Sequence, residues 1–183
     1  GLVGPVFAWL TLTWAAKAAR AEAEAQKETQ RRALQLEAAS QASQKVTAIL
    51  DVDELLSQVG KVVRDSFGYY NVSLFLLDAD SNEIVLRAGS GQAEQPLKVC
   101  GLRLKIGEEG ITGRVATTGQ PILCNNVHQE PHYYPHELLP ETRSELAVPL
   151  RFGARVVGVL DVQSDRYDAF RADDVNVLQI LAD

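Results

Sequence analysis

From Leu2 to Ala16 the chain carries no charge. From Lys17 to Leu50 it is built of Ala, Glu, Gln, Lys and Arg in bulk, with neither Gly nor Pro. The summed propensity of such a stretch predicts one long helix. Within it Leu36, Ala39, Ser43, Val46 and Leu50 recur at spacings of three and four, the seam of a coiled coil. Upstream the same register meets Arg32, Thr29, Ala25 and Glu22, so the seam weakens there. Asp51, with Glu54 three residues on, predicts a fresh N-cap. Leu55, Val59, Val62, Val63 and Phe67 then share one face of a second helix, and Gly68 stops it.

After Gly68 the period shortens to two. Val72, Leu74 and Leu76, then Ile84 and Leu86, flank the turn-rich Asp78-Ala79-Asp80-Ser81-Asn82, which predicts a β-hairpin. A third strand is expected at 102–106, a short helix at 108–118 closed by Gly119, and a fourth strand at 121–124. Residues 125–143 hold Pro131, Pro135 and Pro140 and read as a long loop. A second hairpin follows, 146–152 and 156–163 around Gly153-Ala154. Asp173 and Asp174 open a last helix with Val177, Ile180 and Leu181 apolar. Helices at both ends of an antiparallel sheet make an α+β domain.

Composition narrows the class. Of 183 residues, 46% are hydrophobic and 23% charged, the profile of an ordinary globular chain. A net charge of −6 argues against a nucleic-acid partner. Cys100 and Cys124, the two cysteines, are too few for a disulfide framework and fit a reducing compartment. There is no methionine, and the last helix runs to Asp183, so an internal piece of a longer protein is expected. Residues 1–16 are too short to span a bilayer, which takes about 20 residues. With Trp14 near their end and Lys17 and Arg20 behind them they are read as the end of a transmembrane helix whose cytoplasmic side follows. The alternative is an apolar helix packed on a partner in a soluble cytoplasmic protein.

Three segments resemble the GAF-domain signature in that family's order. They are Gly107-Glu108-Glu109-Gly110-Ile111-Thr112-Gly113, Arg143-Ser144-Glu145-Leu146-Ala147-Val148-Pro149-Leu150, and Val157-Gly158-Val159-Leu160-Asp161-Val162-Gln163-Ser164, with Phe170 and Asp174 completing the series. The resemblance covers 51–183. It implies a GAF-like antiparallel sheet flanked by helices and preceded here by a long N-terminal helix. One face of the sheet would hold a small ligand, and the terminal helices would pair two copies. Residues 17–50 are then a signalling coiled coil, and the whole resembles the input half of a membrane-associated histidine kinase of a two-component system.

Specific chemistries of the family meet departures. The branch that reduces free methionine sulfoxide needs a cysteine in the glycine turn and another in the long loop, where this chain has Thr112 and Leu138. Cyclic-nucleotide binding is put in doubt by Val175 and by Gln163-Ser164. A bilin would need a differently placed cysteine. The glycine turn is weighed as a plain strand-to-helix connector against an anion site. Cys124, His128, His132 and His136 recur every four residues, but Pro131 and Pro135 break any helix that would align them, so no metal is expected. Asp161, Asp165 and Asp168 are read as a solvated strand end and turn.

The expectation is therefore a non-catalytic sensory and dimerisation module with no cofactor. It would be a homodimer through its N- and C-terminal helices, bind an unidentified small ligand, and relay that state to an output domain. Two rivals stand beside it, a sulfoxide-reductase enzyme and a structural spacer with no ligand. A ligand would sit between the sheet and the 125–143 loop, on His128, Tyr133 and Tyr134, whose aromatic bodies and polar tips suit a pocket. Arg143 and Glu145 would flank the mouth or pair with each other.

Overall fold

The computed structural model describes the backbone of residues 3–183, with side chains described for 22, 24, 26–41 and 52–183. The side chains of the apolar 1–16 segment, and of Ser43, Val46 and Leu50 in the expected seam, lie outside the described residues. The chain divides into two compact units, Gly1–Leu50 and Asp51–Asp183. In the first, Leu34 and Leu36 are exposed, and Arg32 pairs with Glu28 one turn away. Among the described residues no helix is long and apolar enough to cross a membrane.

Helix α1 is continuous over Val3–Phe67. The expected break at Asp51 is absent, because no Gly or Pro interrupts the chain there and an interior Asp costs a helix only a few tenths of a kcal/mol. The face that α1 turns to the core also differs from expectation. Val63 is buried, with Leu56 and Val59 packed beside it, whereas Leu55, Val62 and Phe67 are exposed. Gly68, at φ +69°, ends the helix as expected.

The second unit is an α+β domain. Strands β1 (Asn71–Leu77), β2 (Glu83–Gly91), β3 (Arg103–Lys105), β4 (Ile122–Cys124), β5 (Ser144–Phe152) and β6 (Arg155–Ser164) form one antiparallel sheet ordered β3-β2-β1-β6-β5-β4. Helices α2 (Glu94–Cys100), α3 (Gly110–Thr118) and α4 (Ala172–Ala182) complete it. The hairpins, the third and fourth strands, α3 and α4 lie where the periodicity predicts. Helix α2 does not follow from the periodicity. It is seven residues long, with Pro96 in its first turn, too short to show a helical period.

The sheet is covered on both faces. One face packs Val72, Leu74, Leu146, Val148, Leu160 and Val162 against Val63 of α1 and Leu178 of α4. The other packs Phe75, Ala147 and Val159 under Leu97 of α2, Ile111 and Val115 of α3, and Val127 and Leu139 of the 125–143 loop. A register shift between β1 and β2 at Leu74/Phe75 lets Ile84 and Leu86 join one layer and Ala88 the other. This settles why Phe75 falls out of phase with Leu74. Both sides of β1 are interior.

The glycine turn is a connector. Gly107 and Gly110 take φ of +83° and +73°, which a side chain disfavours. At Gly113 a Cβ would stand 2.6 Å from the Lys105 carbonyl oxygen. Within the turn Gly107 N donates to Gly113 O, Glu108 N and Glu109 N donate to Lys105 O, and Glu109 Oε2 accepts from Lys105 N.

Strand β6 lies between β1 and β5, and its Gly158 passes so close to Phe75 O that a Cβ has no room, with Leu76 and Leu150 blocking the sides. Gly158→Ala is expected to destabilise the domain by about 3 kcal/mol, the upper range for overpacking. Urea denaturation measures it, and a change within experimental error would mean the sheet is looser than described.

Candidate functional site

The site is built by strand alternation. On β1, β5 and β6 the odd-numbered residues share one face, so Asn71, Ser73 and Phe75 stand beside Gln163, Asp161 and Val159, and Glu145 and Ala147 beside Gln163 and Asp161. One end of this face is apolar and belongs to the core. The other end is polar and equally buried, with Glu145 3% and Asp161 2% exposed. Over it lie Gly110 and Thr112 of α3 and Tyr134, His136 and Leu139 of the loop, enclosing a cavity of about 30 Å³. That is room for one or two water-sized groups.

A chain of hydrogen bonds crosses the cavity floor. The Thr142 hydroxyl donates to Gln163 Oε1 at 2.7 Å, and Gln163 Nε2 donates to Asp161 Oδ2 at 2.9 Å. Asp161 and Glu145 are hydrogen-bonded carboxyl to carboxyl. Thr112 Oγ1 reaches Glu145 Oε1 at a long 3.5 Å. Asp161 Oδ1, buried, meets no N–H or hydroxyl donor. Two carboxylates cannot both ionise cheaply in such a place. Burial, and then the charge of Asp161, push the Glu145 carboxyl well above its ordinary range. Burial lifts Asp161 from 3.8 to about 7, against the pull of its bonds from Gln163 and Glu145. The pair therefore holds at least one proton at neutral pH.

The structure divides the sequence-predicted residues. Glu145 and Tyr134 line the cavity. His128 and Tyr133 line a second depression, which shares His136 and Leu139 with the cavity. There the His128 ring, exposed, lies 6.2 Å from that of Tyr167. Burial pushes the Tyr133 phenol up to about 12. Arg143 does not pair with Glu145. Its guanidinium donates to Pro140 O and Thr142 O and lies 3.7 Å from Glu141. Of the three histidines only His136 lines the cavity, and among the described residues no cluster of His, Cys, Asp or Glu is arranged to hold a metal. Cys100 is exposed at the end of α2. Cys124 is buried on β4, and burial raises its thiol.

Asp161, Gln163 and Thr142 are site residues that the sequence pattern does not single out. The reading of Asp161 as part of a solvated strand end is corrected: Asp165 and Asp168 are exposed, but Asp161 is interior. Its alternation with Leu160 and Val162 looks like a solvent face. It is not one, because β6 is central and both its faces are covered. The legible signal is polar residues at 161 and 163 in register with Glu145.

The geometry can be set beside known proteins. A family model for the GAF domain matches residues 49–183. The GAF domain-containing protein A of Dictyostelium discoideum is 27% identical over 127 residues, 69% of this chain and 74% of that protein. The GAF domain of a phosphoenolpyruvate-protein phosphotransferase from Coxiella burnetii has a TM-score of 0.64 at 26% identity, covering 71% of this chain and 77% of that one. A free methionine-R-sulfoxide reductase from Neisseria meningitidis, solved in complex with its substrate, has a TM-score of 0.61 at 28% identity, covering 71% and 72%. This last similarity overturns the expectation of a non-catalytic module. Enzymes are among the proteins built on this scaffold, and the lack of thiols at Thr112 and Leu138 shows only which groups two positions lack.

The buried pair should be visible in stability. Folded, Asp161 keeps a proton that the unfolded chain has released above pH 3.8, so its contribution falls as pH rises toward about 7. The fall is at most about 1.4 kcal/mol per pH unit for one proton. Asp161→Asn is therefore expected to gain on the parent protein steadily across this range, by urea denaturation at matched pH values. A gap that does not change with pH would show an Asp161 already ionised in the folded protein.

Proposed function

Because residues 49–183 belong to the GAF family, we propose that this chain is a sensory module whose cavity takes the cationic group of a small molecule, an ammonium above all. One observation carries the reading. Two carboxyls are buried face to face with an open oxygen at a cavity, and no Lys or Arg is among its lining residues. A buried carboxylate left uncompensated costs several kcal/mol, so such a site is kept for a partner that supplies the positive charge. The cavity fits an –NH3+ group. The rest of a ligand needs Tyr134, His136 and Leu139 to move, and all three belong to the loop, where movement costs least.

The same loop is tied to the terminal helix. The Asn125 side chain donates to Phe170 O at 2.9 Å and accepts from Phe170 N at 3.0 Å, and the Phe170 ring is in the core layer with Leu178 of α4 and Val63 of α1. Ser144 Oγ donates to Arg166 O at the other end of the loop. A shift of the loop on binding therefore pulls on the segment leading into α4. We read α1 and α4 as the output, paired with those of a second copy and passing the state to a signalling domain, with a histidine kinase the kind that the sequence resembles. The exposed Val62, Val177, Ile180 and Leu181 support such pairing.

A second reading, turnover of methionine sulfoxide, is favoured by the similarity to the Neisseria enzyme. One titration addresses both. Free L-methionine R-sulfoxide should bind by calorimetry, its N-acetyl derivative should not, and Asp161→Asn should weaken binding by at least about tenfold, the worth of one charge-assisted hydrogen bond. Equal binding of the acetylated compound would remove the cation reading. Methionine appearing when dithiothreitol is added would establish the second. For pairing, sedimentation should show a dimer that Ile180→Lys converts to a monomer, and a parent protein that sediments as a monomer would sink that part.

A further inference from the structure

The carboxyl pair carries a further consequence for whatever enters the cavity. Asp161 Oδ2 is committed to Gln163, whose amide is held in that orientation by Thr142 at its other end. Glu145 has, besides Asp161, one long contact, from Thr112. Four carboxyl oxygens, almost fully buried, thus face one firm N–H or hydroxyl donor and one weak one, and a proton keeps the cluster by itself from carrying two bare charges.

Among the described residues nothing else on the surrounding elements takes over that role. Strand β1 presents neutral Asn71 and Ser73, and α3 presents Thr112. Strand β4 brings Cys124, raised by burial and by Glu145 itself. From the loop come Glu130, whose charge works against ionising Glu145, the neutral phenol of Tyr133, and His136 at the cavity wall. Arg143 is engaged with Glu141 and backbone carbonyls.

We infer that ligand and proton compete for one place, so that a cation enters this cavity by expelling a proton held between Glu145 and Asp161. This rests on the cation reading above and adds a regulation to it. Balance is simple: one N–H-bearing cation arrives with its charge, Asp161 loses its proton to solvent, and no covalent bond other than that O–H is broken. The net charge of the cavity changes little, which is what a low-dielectric site requires. A module of this kind reads its ligand and the acidity of its surroundings together. At lower pH it needs more ligand to reach the same occupancy.

The test uses the full chain, with methylammonium and L-methionine sulfoxide as probes. Calorimetry at pH 6 in buffers of different ionisation enthalpy counts protons, and about one should leave per probe bound. Affinity should rise about tenfold per pH unit up to about pH 7, where Asp161 ionises unaided, and flatten above it. Asp161→Asn should remove the proton release. His136→Gln should still release one, and loss of the count there would assign the proton to the histidine and overturn the inference. Binding of either probe with no proton released overturns the inference alone and leaves the cation reading standing. Failure of both probes to bind at any pH overturns the two together.

Discussion

The arrangement rests on the position of β6. It is paired on both sides, to β1 and β5, and lies in a sheet covered on both faces. A strand so placed has no solvent side, and every residue from Gly158 to Ser164 is buried. Polar residues there must find partners inside the protein. Asp161 and Gln163 find each other, Glu145 and Thr142, and Asp161 Oδ1 is left without an N–H or hydroxyl donor.

The two layers divide the labour. Between the sheet and the terminal helices the contacts are apolar and continuous, from Val63 through Leu160 and Val162 to Leu178. On the other face the apolar part ends at Phe75, Ala147 and Val159, and the polar end begins under a long loop that contributes Tyr134, His136 and Leu139. The cavity thus has one wall of sheet and one of loop. The sheet wall is three central strands in register, and the loop wall is tied to the rest of the domain near its ends, through Asn125 to Phe170 and Arg143 to Ser164. The Asn125 anchor runs to Asp168 and Phe170, in the segment before α4.

Stability is given up for this site. Two aliphatic residues at 145 and 161 would pack against Ala147 and Val159 with no desolvation to offset. The remainder of the domain compensates by ordinary means: a fully buried aliphatic layer, the bidentate Arg87–Asp53 pair at 2.9 and 3.1 Å between β2 and α1, and glycines wherever backbones approach too closely for a Cβ. A scaffold with such reserves accommodates many pockets. Sulfoxide reductases and domains of phosphotransferases accordingly share its shape.

Much of the fold is legible in the chain itself. The switch from a helical to a two-residue period after Gly68, the turn-rich 78–82 and Gly153-Ala154 segments, and the prolines of the 125–143 loop place the strands and the loop, because these are local effects of sterics and solvent. The glycine turn and the Arg143–Leu150 segment carry the family, and Glu145 with them. Local pattern cannot say that α1 passes through Asp51 unbroken, that Leu56 rather than Leu55 turns inward, or that seven residues around Pro96 form a helix. Nor can it tell a solvated strand edge from a doubly covered central strand, since Asp161 alternates with Leu160 and Val162 in either case. Whether that carboxylate meets water or Glu145 is decided by which strands lie beside β6 and what covers them, and those neighbours come from distant parts of the chain.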